Sequence, residues 1–323
     1  MVISKQQHNK IAIFAELLTI MNKKNSIIGH IACFTAYLIF GLNIIVCKDL
    51  TSSNAISPLA LFTLRSLGAG ILFWLISLFM PKEAVERRDL PKIFVASVLG
   101  FFLAQITFLM AISQITPMDC SIVASLSPIY TMFIAAFAIK EPLSAKKIGG
   151  VILSLCGILY LILNSVTSTS TVVQTTPIGV LLIIANSLCF SLYLGIFKPL
   201  ISKYSVVTFM KWIFLFSTLM SLPFSAKELI AVDFATLPLS YIAELGFLIF
   251  CATFVTYFLI PIGQKRLRPT LVSMYSYVQP IIAIIVSICV GMDTLSWQKV
   301  VAAVTVFSGV IIVSHSQRRE TAK

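Results

Sequence analysis

The chain has 323 residues, of which 58% are hydrophobic and 11% charged, with a formal net charge of +12. A soluble domain carries roughly 25% charged residues, so this composition excludes a water-soluble globular protein. Apolar stretches recur at the roughly 20-residue length that crosses about 30 Å of hydrocarbon, without the period-two alternation of membrane barrel strands.

Ten such stretches predict an all-α polytopic membrane protein with transmembrane helices over 27–47, 58–79, 93–113, 118–139, 147–164, 178–197, 206–223, 241–262, 270–290 and 297–315. The charges orient them. With the N-terminus inside, 20 of the 24 Lys and Arg fall in the tails or in loops on the same side. Lys48, Lys227 and Lys299 lie opposite, and Arg65 lies within the second helix. The positive-inside rule then places both termini in the cytoplasm, and the basic excess reads as topology, not as a nucleic-acid surface.

Residues 1–26 form a cytoplasmic tail. Its apolar run 11–20 is too short to span and lacks a small-residue cleavage site, which argues against a signal peptide. Either this run lies on the membrane surface as a short helix, or Met21 is the true start. The first helix carries Tyr37 and Asn43, with Gly41 available for close packing. The second opens at Pro58, and Arg65 lies about 10 Å deeper at 1.5 Å per residue. A charge there needs a partner. Arg65 either satisfies backbone carbonyls or a loop, or anchors a substrate carboxylate.

The loop 81–92 reads as a solvated cytoplasmic charge cluster. Helix three offers Gln105. Helix four carries Ser125, Ser127 and Pro128, and the proline removes a backbone hydrogen bond near mid-membrane. Residues 165–177 form an uncharged, Ser/Thr-rich extracytoplasmic linker between 27–164 and 178–315. A short cytoplasmic tail, 316–323, closes the chain.

The two long segments repeat. A shift of 152 places Pro117 on Pro269, Ser121 on Ser273, Pro128 on Pro280, Lys147 on Lys299 and Gly157 on Gly309, without a gap over 41 positions. In the early helices a shift of 150 places Phe40 on Phe190, Lys48 on Lys198, Asn43 on Tyr193 and Pro58 on Thr208. Five helices per repeat is odd, so the two five-helix repeats must be inverted, an architecture of secondary transporters. Paired helix interruptions at Pro128 and Pro280 point to the binding region and to a hinge.

The chemistry-bearing residues exclude more than they assign. The twelve carboxylates lie in tails, loops or terminal turns, so a mid-membrane proton relay lacks its usual residue. No Walker A motif, C-x-x-C pair or carboxylate–His metal set is present, so no cofactor and no metal is expected and catalysis has little support. The polar groups predicted at mid-membrane suit a small amphipathic ligand: Tyr37, Asn43, Gln105, Ser127, Asn186, Tyr193, Tyr257, Tyr277 and Gln279. Some would only bridge helices, a role Ser, Asn and Tyr also fill.

The PLALFTLR opening of helix two and two matching motifs resemble the drug/metabolite transporter superfamily, in its EamA-type ten-helix branch. The motifs run from Pro128 to Glu141-Pro-Leu143, Lys147 and Gly157, and from Pro280 to Asp293-Thr-Leu295, Lys299 and Gly309. The resemblance covers about 27–315. It implies ten helices, both termini inside, a central cavity between the repeats and frequent export of amino acids or other metabolites. Asp293-Thr departs from Glu141-Pro, which argues against a need for one particular acidic side chain, and the surface location expected of this position points to a capping or loop role. The expectation is an inner-membrane secondary transporter or facilitator acting by alternating access, in a lipid bilayer, as a monomer or weak homodimer. The rivals are a membrane-embedded lipid or isoprenoid enzyme and a non-transporting sensor.

Overall fold

The computed structural model describes residues 2–52, 56–139, 145–167 and 175–320. Side chains are described from residue 26 on, apart from 135–139, 147, 162, 164–167, 270 and 313–320. All described regular structure is helical: α1 (Val2–Ser52), α2 (Pro58–Leu78), α3 (Leu90–Ile112), α4 (Pro117–Ala124 and Ser127–Ile139) and α5 (Ala145–Thr167). There follow α6 (Pro177–Ile196), a short helix Lys198–Lys203, α7 (Val206–Ile230) and α8 (Leu239–Arg266). Then come α9 (Pro269–Met274, Tyr275–Tyr277 and Val278–Cys289) and α10 (Trp297–Glu320). Among the described residues seven helices are long and apolar enough to cross a membrane, joined by the shorter apolar runs Ile148–Leu161 and Trp297–Ile312. The chain is a polytopic membrane protein. The motif Glu141-Pro-Leu143, the Lys147 side chain and most of the linker lie outside the described residues.

Local chemistry sets the helix starts. Ser57, Thr116 and Thr176 each accept a first-turn N–H through the side chain, and each is followed by a proline whose missing N–H costs nothing there. Two boundaries differ from the sequence reading. Helix α1 is continuous from Val2, with no separate surface helix before residue 27. Helix α7 runs through Pro223 to Ile230 instead of ending at 223. Membrane helices tolerate an interior proline where hydroxyls bond back to the backbone, and Ser221 and Ser225 do so on either side of it.

The two halves meet about a two-fold axis. Three hydrogen bonds join residues 152 apart, so that each residue touches its own repeat mate. Ser66 pairs with Thr218 at 2.8 Å, Gln105 Nε2 donates to Tyr257 OH at 3.1 Å, and Ser154 Oγ donates to the Val306 carbonyl at 3.2 Å. Self-pairing of this kind is what an isologous interface produces. The α5–α10 crossing repeats the relation. A Cβ on Gly157 would lie 3.0 Å from Val306 N and 3.1 Å from Ala302 O, and one on Gly309 would lie 2.4 Å from Gly150 O and 2.7 Å from Ser154 N. Residue numbers rise along α5 as they fall along α10, and α2 against α7 does the same: Thr63 bonds Ser225 while Ser66 bonds Thr218. The halves are therefore inverted. At Ser66 the register is already 152, not the 150 that fits α1.

The loop 81–92 is not simply solvated. Asp89 is buried and accepts from Lys203 (2.7 Å), Tyr204 OH (2.8 Å) and Lys92 (2.9 Å), while Lys203 also reaches Glu86 at 2.7 Å. Glu83 accepts from Ser205 N, and Lys265 donates to the Tyr204 carbonyl. This end of the bundle thus ties the α2–α3 loop to the start of α7 and to α8. The lysine and tyrosine donors hold the Asp89 carboxyl well below the usual carboxylate range, and Asp89 and Glu86 hold Lys203 above the usual ammonium range.

Candidate functional site

Two pairs of local backbone departures build the site. In α4 the helix breaks at Ser125–Leu126, just before Pro128. In α9 a single tight turn, Tyr275–Tyr277, precedes Pro280. The second pair was not foreseen from the sequence. A wide π-turn occupies Val98–Leu103 in α3, and another occupies Phe250–Val255 in α8, at the same repeat position. Such turns leave main-chain carbonyls short of partners and concentrate at functional sites. Tyr257 OH donates to the Gly100 carbonyl, and Thr253 Oγ1 bonds back to Leu248.

Between these breaks lies a partly open cavity whose empty space, its open mouth included, is about 570 Å³. Its lining is two-fold related. Ala124 and Ser127 of α4 face Ser276 and Gln279 of α9, and Gln105 of α3 faces Tyr257 of α8. Phe40 of α1 faces Phe190 of α6, edge to face at 6.4 Å. Helix α6 closes on α4 because Ser191 Oγ donates to the Ser127 carbonyl at 3.1 Å. On the mate side Gly41 lets α1 come against the Gln279 carbonyl, where a Cβ would sit 2.9 Å away.

Seven of the nine predicted residues line this one space: Tyr37, Asn43, Gln105, Ser127, Asn186, Tyr257 and Gln279. Asn186 is held by its Nδ2, which donates to the Ala104 carbonyl at 2.6 Å. Two lie elsewhere. Tyr193 is buried behind the wall, stacked between Phe190 and Phe197 and against Gly100. Tyr277 turns its ring edge-on to Phe307 of α10, at 6.4 Å, because a residue two positions from Gln279 points to the opposite side of α9. Ser125, the repeat mate of Tyr277 on α4, is buried and bonds back to the Ile122 carbonyl. Sequence reasoning missed the aromatic wall of Phe40, Phe108 and Phe190, and also Ser276. Phenylalanines are too common in membrane helices to stand out.

Several lining atoms are buried without a protein hydrogen-bond partner: Tyr37 OH, Gln105 Oε1 and Ser276 Oγ. Leaving each bond unmade costs free energy on the order of 1–3 kcal/mol, so the cavity lining holds unmet hydrogen-bonding capacity. Among the described residues the lining carries no carboxylate, and no group of three potential metal ligands occurs.

The charged residues at the helix ends brace the fold around the site. Lys48 donates to the carbonyls of Ile112 and Ile115 at the α3–α4 junction, and its mate Lys198 donates to that of Leu267 at the α8–α9 junction. Asp293 accepts from Met118 N in the first turn of α4 and pairs with Lys299 at 2.5 Å. That is the capping role expected of it. Asp119, expected at a terminal turn, is there but buried, bonded to Thr175 and 3.9 Å from Lys299. Arg65 departs from the first of its two readings: among the described residues it bonds neither a carbonyl nor a loop, but the side chains of Thr253 and Cys47.

Comparison with known proteins agrees with this architecture. The model of the EamA-like transporter family matches residues 27–163 and again 177–315. An uncharacterized transporter, YetK of Bacillus subtilis (strain 168), is 23% identical over 88% of this chain and 86% of its own. The inner membrane transporter YicL of Salmonella typhimurium, likewise uncharacterized, is 23% identical over 90% and 96%. An uncharacterized transporter of Archaeoglobus fulgidus is 25% identical over about half of each chain, 49% and 53%. A protein crystal structure superposes with a TM-score of 0.62 at 18% identity, covering 90% of this chain and 98% of that one, which speaks to the fold. With both halves matched, the chain belongs to the EamA-like transporter family.

Proposed function

We propose that this protein is a secondary transporter or facilitator of the inner membrane that exports a small amphipathic metabolite, such as an amino acid, by alternating access. Its ten helices would cross the bilayer with both termini in the cytoplasm, as the placement of 20 of 24 basic residues supports. The observation that carries the reading is the cavity on the two-fold axis, bounded by paired helix breaks and lined by aromatic rings and neutral hydrogen-bonding groups. In inverted-repeat transporters the substrate site lies at the repeat interface, between interrupted helices. The two halves rock about it, Pro128 and Pro280 being the hinge points, and the neutral lining removes the need for obligatory proton coupling through the protein. The chain acts alone or as a weak homodimer, without cofactor or metal, and not as an enzyme. Counterflow in proteoliposomes tests this. Saturable exchange of one class from a panel of amino acids and nucleobase-like metabolites is the expected result, and its absence from correctly inserted protein speaks for a non-transporting role.

A further inference from the structure

Arg65 is 1% exposed and lies within α2, seven residues in from Pro58. Its Nε donates to Thr253 Oγ1 at 2.9 Å and its Nη1 to Cys47 Sγ at 3.3 Å. Both partners are neutral, and Nη2 has no hydrogen-bond partner among the described residues. Among the described residues no carboxylate lies within ion-pair distance of it. A buried guanidinium in hydrocarbon is ordinarily paired, because isolated burial of a charge is expensive.

This charge stands directly behind the cavity wall. Cys47 Sγ, which accepts from Arg65, donates in turn to Asn43 Oδ1 at 3.5 Å, and Asn43 lines the cavity. Across the same space the hydroxyls of Tyr37 and Ser276 are buried and unpartnered, and both can donate. The lining thus combines neutral donors with a positive charge behind them and, among the described residues, no negative charge facing them.

We infer that the cavity selects ligands bearing a carboxylate, with Arg65 supplying the counter-charge through the low-dielectric wall and Tyr37 and Ser276 donating to the anion. Arg65 is here a selectivity residue acting at a distance. This rests on the cavity being the binding site proposed above, but not on flux. At an effective dielectric near 20, one charge held a few residues away changes affinity by about tenfold or more, and a desolvated wall strengthens it.

The test is binding to purified, detergent-solubilised protein, using matched acid and amide probes: 3-phenylpropionate with 3-phenylpropionamide, and octanoate with octanamide. Wild type is expected to bind the acids about tenfold more tightly than the amides. Arg65→Gln is expected to abolish that preference while leaving amide affinity within about twofold, and Arg65→Lys to keep it. Should Arg65→Gln fail to fold, judged by size-exclusion profile, wild type and Arg65→Lys still decide. Equal binding of acid and amide by wild type, no binding of either acid, or equal loss of both probes in folded Arg65→Gln overturns the inference. Acid preference without flux in proteoliposomes leaves it standing and removes the transport reading instead.

Discussion

At the residue scale the cavity divides two neighbours that the sequence treats alike. Gln279 lines the cavity, whereas Tyr277 packs edge-on against Phe307. Gln279→Ala is therefore expected to weaken substrate affinity about tenfold, the size of one hydrogen bond to a buried group. Tyr277→Phe, which keeps the ring contact, is expected to leave affinity unchanged; equilibrium binding of the transported substrate checks both. A matching loss in Tyr277→Phe would place its hydroxyl in the site after all. Polar type and depth were enough to find Gln105, Asn186 and Tyr257, since an amide or phenol amid apolar helix must be satisfied by something. They could not find the face. In a tight turn of three residues per turn, positions i and i+3 eclipse, so Ser276 and Gln279 share one side and Tyr277 is turned from it. A straight helix of 3.6 residues per turn separates them the same way, with Ser276 about 60° and Tyr277 about 160° from Gln279, so periodicity applied to this stretch already points to the right face.

At the element scale the prolines were legible and the π-turns were not. A proline announces a lost hydrogen bond, and Pro128 and Pro280 each follow a break in their helix. Pro128→Ala and Pro280→Ala are expected to lower turnover more than affinity, which steady-state counterflow resolves into maximal rate and half-saturation. Unchanged maximal rates in both would leave the breaks without a part in the cycle. The π-turns at Val98–Leu103 and Phe250–Val255 share one residue, Phe102 on Phe254, which is too little for the sequence to announce them. The glycines Gly157 and Gly309 were visible as a repeated pair, and the structure supplies their reason: each meets the backbone of the other helix. Gly309→Val forces α5 and α10 apart and is expected to cost about 1–3 kcal/mol, the usual range for an overpacked contact. Thermal unfolding in detergent measures this; a melting point equal to wild type would mean the crossing is looser than described.

At the scale of the whole molecule, duplication was the strongest signal in the sequence, and the structure turns it into mate-to-mate contacts at Ser66–Thr218, Gln105–Tyr257 and Ser154–Val306. What composition could not show is how the ends are tied, because a loop rich in charge reads as solvent-exposed whether or not its charges are paired. Asp89 carries a pH signature. Its carboxyl is held low by Lys203, Lys92 and Tyr204, so its stabilisation is present above its unfolded pKa, about 3.9, and is lost as pH falls through the lower native value. Lys203, raised by the same contact, contributes below its unfolded pKa, about 10.4, and stops as pH rises through its native value. Asp89→Asn is thus expected to lower the melting temperature at pH 7 and to flatten its fall below about pH 4. A wild-type melting profile in the variant would show the end cluster to be without consequence.

The most direct measurement of the central claim is counterflow in proteoliposomes of known orientation, comparing wild type with Gln105→Ala and Gln279→Ala. We expect saturable exchange of one metabolite class by wild type, and about tenfold higher half-saturation in both variants, which lie on opposite repeats but face one cavity. Saturable exchange that neither substitution alters would contradict transport through this cavity.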